Sequence, residues 1–304
     1  MSPHHISNPT GSDPARRRVG RALARASAAT ILARVFPTVL LGAVAVSAVD
    51  DANAQGKDAS FDHGYERFDA LLRKHVAWNA AGTASAVDYA GLARERAALK
   101  QVLDAFSAVS MQQYQGFSRD QRLAFLINAY NAFTLELILT KYPDLASIKD
   151  LGSLFRSPWK QRFFTLLGEA RTLDWIEHDM IRKPGAFDEP RIHFVVNCAS
   201  IGCPALRPQA VKASELERQL EDSTRRFLGD RSRNRLEDGK LRVSKIFDWY
   251  GDDFRKGHRG IASLPAFFGL HAKSLADDAA GQAAIRGGKV PIEFLDYDWS
   301  LNRR

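Results

Sequence analysis

The chain has 304 residues, 45% of them hydrophobic and 26% charged, with a formal net charge of +8. That apolar content supports a packed core and excludes a disordered chain. Setting aside residues 1–54, with their six arginines and three acids, leaves 37 basic and 32 acidic residues, net +5; this charge is spread along the chain, which excludes a nucleic-acid footprint.

In chain order, residues 16–34 carry Arg16, Arg17, Arg18, Arg21, Arg25 and Arg34 with no acid between them. An apolar run follows from Val35 to Val49, and Ala52-Asn53-Ala54 places small residues where a signal peptidase reads them. The pattern predicts a secretory signal peptide over 1–54, cut after Ala54. The apolar run is short for a membrane span, so membrane contact is expected only through this segment before cleavage. The expected location is periplasmic or secreted, an oxidising setting in which Cys198 and Cys203 make an even cysteine count.

Residues 61–76 space Phe61, Tyr65, Phe68, Leu71, Leu72 and His75 as a helix. A segment over 55–84 holds this helix and a linker, ahead of a domain over 85–302. A second amphipathic helix is predicted from about Leu92 to Val109. Ser118 and Gln121 form a capping box that opens a long helix over about 119–141, ended by Pro143. It is apolar nearly all round, hence central. On it Asn128 and Asn131 lie three apart on one face; buried amides need partners, so they hold a neighbouring loop or face a polar cavity.

Residues 162–173 read as a hairpin turning at Gly168-Glu169, and Asp174 with Glu177 as a second capping box opening a short helix that carries Glu177 and His178. The run Ile192 to Val196 reads as a buried strand. It delivers Asn197, Cys198 and Ser200 into a small-residue loop closed by Gly202-Cys203-Pro204. Ser214 and Glu217 cap a helix to about Phe227, Asp238-Gly239 turns a hairpin, Phe247–Phe254 is an aromatic–acidic turn, and Val290–Leu295 is a last strand. Helices first and strands later give an α+β class, a helical N-terminal part packed on a small mixed or antiparallel sheet. Trp159, Trp249 and Trp299 read as core anchors. Asp296 or Asp298 is expected to pair with a buried arginine such as Arg191.

These pieces resemble the domain of unknown function 547 (DUF547) family. The resemblance rests on Asn128-Ala-Tyr-Asn131, Ser157-Pro-Trp-Lys160 with Phe163-Phe164, Leu173-Asp-Trp-Ile-Glu-His178, Arg191-Ile-His-Phe194, Asn197-Cys-Ala-Ser200, Gly202-Cys-Pro204, Ile246-Phe-Asp-Trp-Tyr250 and Asp296-Tyr-Asp-Trp-Ser-Leu-Asn302. It implies no activity, but it singles out Asn128, Glu177, His178, His193, Asn197, Cys198 and Cys203.

The chemistry these residues offer first is a thiol-dependent hydrolase or acyl transferase. Cys198 would be the nucleophile, His193 or His178 the base, and Asn128 and Glu177 the steadying groups. On an extended strand His193 and Cys198 face opposite sides, roughly 15 Å apart, which leaves His178 the freer base. Papain-like and transglutaminase-like enzymes set a core-helix thiol against a strand histidine; here the helix offers Asn128 instead, so by fold-level analogy either the layout is similar with the thiol displaced to Cys198 or the fold has lost the chemistry. The alternative is a non-catalytic periplasmic ligand-binding or assembly domain, with a structural Cys198–Cys203 disulfide and a small polar or peptide ligand. A reversible bridge, making a redox-responsive loop, is a further option. A zinc set from the cysteines with Glu177, His178 and His193 matches no common spacing, so no metal or cofactor is expected.

Overall fold

A computed structural model describes residues 60–153 and 156–304. The predicted signal peptide lies outside the described residues. The first helix, α1 (Glu66–His75), leads into a hairpin of β1 (Val76–Trp78) and β2 (Ser85–Val87). The predicted second helix is two, α2 (Tyr89–Arg94) and α3 (Arg96–Ser107), broken at Glu95. The short α4 (Met111–Gly116) precedes α5 (Arg119–Leu139), which opens on the Ser118/Gln121 capping box. Sixteen of the 21 residues of α5 are buried. By length and composition it could cross a membrane, but here it is the central helix around which α1–α4 pack.

β3 (Phe164–Leu166) and β4 (Glu169–Arg171) form the predicted hairpin, with the turn one residue early, at Leu167-Gly168. The helix carrying Glu177 and His178 is a π-helix, Trp175–Ile181, and Asp174 does not cap it. Thr172 does, its Oγ1 accepting from Trp175 N–H at 3.0 Å. α6 (Leu216–Leu228) likewise lacks the predicted Ser214 cap. β5 (Arg235–Glu237) and β6 (Lys240–Val243) pair antiparallel about Asp238-Gly239. α7 (Ile246–Trp249), α8 (Leu264–Leu270), α9 (Ala272–Leu275) and α10 (Ala279–Arg286) follow, and β7 (Ile292–Phe294) joins β6 in parallel. The class is α+β, with small sheets of two, two and three strands.

The largest departure from expectation is at 190–196. There is no strand; Pro190–Phe194 is a 3₁₀ helix. Pro190 sits in its first turn, where the missing N–H costs nothing, and the Glu189 side chain accepts from Arg191 N–H at 3.0 Å. A short apolar run looks the same whether it is a buried strand or a buried helical turn. This turn is buried all round because it lies between two cores. Ile192, Val195 and Val196 belong to the core built on α5. Phe194 belongs to a second core with Phe227, Phe247, Phe254, Phe267 and Phe268. His193 is therefore not strand-borne, so the strand-histidine half of the papain and transglutaminase comparison does not hold here.

Candidate functional site

The chain leaving this 3₁₀ turn is held by backbone-directed amides. Asn131, on α5, donates from Nδ2 to Val195 O at 2.9 Å and accepts from Asn197 N–H at 2.9 Å. Asn128, one turn earlier, makes the same paired contact with Val211, at 2.7 and 2.9 Å. Both therefore hold neighbouring loops. Asn197 donates to Pro204 O and accepts from Ala199 N–H, closing the loop upon itself. The C-terminal segment then laces it down: Ile201 N–H donates to Ser300 O and Gly202 N–H to Asp298 O, each at 2.8 Å. A Cβ at Gly202 would stand 2.9 Å from Asp298 O, so glycine is required there by contact. Arg233 binds the Cys203 and Ile201 carbonyls and, at 3.1 Å, Thr83 O.

This clamped loop presents Cys198 part-exposed and Cys203 buried. The disulfide considered for them is not formed. Both are free thiols, and their Sγ atoms share a hydrogen bond at 2.9 Å. Cys198 Sγ also lies 3.3 Å from Ser200 Oγ and 3.1 Å from Tyr297 Oη, and Cys198 N–H donates to Cys203 Sγ at 3.0 Å. The Cys203 hydrogen bond, aided by Ser200 and Tyr297, holds the Cys198 thiol below its ordinary pKa, against burial and the Glu177 carboxylate. Burial pushes the Cys203 thiol well up, and its neighbour's charge pushes the same way. Burial also raises the Tyr297 phenol.

Over this thiol stands an aromatic group. Tyr297 contacts Trp249 and Trp299, with ring centroids 4.9 and 4.5 Å away, and Trp159 lies 5.8 Å from Trp299. Trp249 is 42% exposed, so it is no core anchor. Lys149 Nζ sits 3.9 Å over the Trp299 ring. Burial lowers the Lys149 pKa, and Cys198 raises it.

Neither histidine hydrogen-bonds Cys198. His193 is buried and gives its Nε2 contact to Asp253 at 2.8 Å, while its ring stacks on Tyr250 at 4.1 Å. Asp253, in the aromatic–acidic stretch 247–254, is buried and also meets Arg182 at 2.5 Å and Lys256 at 2.6 Å. Burial opposes its ionisation, but His193, Arg182 and Lys256 together hold its carboxyl far below the usual carboxylate range. For His193 burial wins over Asp253 and lowers the pKa, leaving a neutral ring at pH 7 whose Nε2–H donates to Asp253. His178 is turned to Arg182 at 2.7 Å and Asp174 at 3.9 Å. Glu177 is buried, and its charge acts on Cys198, His193, Tyr130 and Tyr250 alike.

The structure thus pairs Cys198 with Cys203 and, separately, His193 with Asp253, with the buried Glu177 carboxylate acting on both the thiol and the imidazole. It leaves His178 at the edge and spends Asn128 on Val211. Arg191 pairs with Glu189, Glu217 and Glu221 rather than with Asp296 or Asp298. Among the described residues no cluster of His, Cys, Asp and Glu could hold a metal ion. Sequence reasoning missed Tyr297, Lys149 and Asp253; the available signal for Tyr297 was its place in the aromatic–acidic alternation of 296–299.

Residues 114–228 match the model of a protein family of unknown function, DUF547. Over those residues the chain is similar to that family. The matched DUF547 region holds α5, Glu177, His193 and both cysteines, whereas Tyr250, Asp253 and the Trp249–Tyr297–Trp299 group lie beyond it. No curated protein and no solved structure matches the chain.

Proposed function

We propose that this protein is an exported thiol-dependent hydrolase or acyl transferase whose nucleophile is Cys198. The observation that carries the reading is the setting of that thiol: part-exposed, depressed in pKa by hydrogen bonds from Cys203, Ser200 and Tyr297, and set beneath an aromatic group open to solvent. A thiolate so held attacks an acyl carbon, forming a C–S bond and sending the carbonyl electrons onto oxygen. The Ser200 and Tyr297 hydroxyls, about 3 Å from Sγ, are then released to donate to that oxyanion. Collapse expels the leaving group and leaves an acyl-thioester, resolved by water or an acceptor. His193 serves this reading indirectly, as a neutral ring fixed between Asp253 and Tyr250. Export to the periplasm or exterior is supported by the arginine-rich start, the apolar run and Ala52-Asn53-Ala54.

Incubating the full chain with a small activated ester or thioester tests the chemistry. The expected result is a burst of leaving group and an acyl mass on Cys198, both absent in Cys198→Ala. No adduct, with turnover unchanged in Cys198→Ala, overturns the reading. N-terminal sequencing of the secreted protein tests export, with Gln55 expected first.

A further inference from the structure

The two sulfurs stand 2.9 Å apart, and a disulfide bond is about 2.05 Å long, so closing the bond needs under about 1 Å of approach. The loop that carries them is otherwise fixed, by Asn131, by Ser300 and Asp298, and by Arg233. The sulfurs are also unequal. Cys198 is part-exposed, and Cys203 is buried behind it, 6% exposed. Cys198 lies nearer the surface than Cys203, so an incoming electrophile meets the first sulfur before the second, which is already in contact with it.

We infer that Cys198 and Cys203 form an attacking and resolving pair, giving the protein a thiol–disulfide exchange activity towards low-molecular-weight disulfides. This rests on Cys198 as the reactive thiol but not on acyl transfer. The Cys198 thiolate attacks one sulfur of the disulfide R–S–S–R. A Cys198–S–S–R bond forms, the R–S–S–R bond breaks, and R–S⁻ leaves. That thiolate takes the Cys203 proton, and Cys203 then attacks Cys198 Sγ. The Cys198–Cys203 bond forms and a second R–S⁻ leaves. The protein dithiol is oxidised by two electrons and the small disulfide is reduced to two thiols. Exchange rates follow thiolate fraction and access, which favours Cys198 at the first step. Cys198 N–H, already 3.0 Å from Cys203 Sγ, stabilises the charge on Cys203 at the second step. While the bridge stands, Cys198 offers no nucleophile, so the oxidised form is silent in acyl chemistry.

The test uses the full chain, reduced, then treated with oxidised glutathione and read by intact mass and by alkylation. The expected wild-type product is two hydrogens lighter, with both alkylation sites lost and no lasting adduct. Cys203→Ser is expected to trap one glutathione on Cys198, and Cys198→Ser to react at Cys203 at least about tenfold more slowly than Cys198 reacts in Cys203→Ser. Circular dichroism of each reduced variant checks folding. If a folded Cys203→Ser takes up no glutathione, or the wild type accumulates a mixed disulfide without bridging, the pair is overturned. Rapid Cys198 alkylation without bridging removes the redox couple and leaves the acyl reading standing. Bridging without any acyl adduct does the reverse.

Discussion

Asp253 accepts from an imidazole, a guanidinium and an ammonium at once, in a buried place. Removing its charge leaves His193 and Arg182 facing each other without an anion, the situation in which a broken buried pair is most costly. Asp253→Asn is expected to lose about 3–5 kcal/mol in urea unfolding; a loss under about 1 kcal/mol would show that water already serves these groups. Tyr297 works on the thiol itself. Tyr297→Phe deletes a donor to Cys198, so the Cys198 pKa rises and the pH profile of its alkylation shifts to higher pH. An unmoved profile would mean that Cys203 and Ser200 suffice.

At the scale of elements, what was legible followed one pattern. α5 was readable because a capping box and an apolar composition around the whole helix are local signals. The Asp238-Gly239 hairpin was readable for the same reason. The 190–196 turn was not, since its burial on every side comes from two cores contributed by distant segments. Nor was the π-helix, whose Arg182 N–H reaches back to Glu177 O at 2.8 Å and resets the face that Glu177 presents. The site followed suit. Its thiol was visible in the sequence, but its Tyr297 and Asp253 neighbours come from 99 and 55 residues downstream of Cys198. The two asparagines of α5 make a direct comparison. Asn131→Ala leaves Val195 O and Asn197 N–H unpaired and is expected to cost roughly 2–5 kcal/mol and to expose Cys203 to alkylation. Asn128→Ala loosens Val211 at similar cost and is expected to leave Cys203 protected. Equal exposure in both would mean that the loop is not held by Asn131 in particular.

For the molecule as a whole, the 3₁₀ turn is the seam between two cores, and the buried charge lies along it. That placement couples stability to acid. The folded His193 pKa lies below that of the unfolded chain, so on acidification the unfolded chain takes up its proton first, and stability falls as pH drops below about 6.5. Asp253 is also depressed in the folded state, so its contribution is complete above the unfolded carboxyl pKa of about 3.9 and is lost below it. Denaturation midpoints should therefore decline in two steps, one beginning near pH 6.5 and a steeper one below about pH 4. His193→Gln, which keeps a donor but cannot titrate, is expected to remove the first step and spare the second. If the first step survives in His193→Gln, another histidine carries it; half-buried His271, whose pKa burial also lowers, is the next to replace. A midpoint flat from pH 7 to 5 in the wild type would show that His193 is protonated in the fold, with Asp253 outweighing burial.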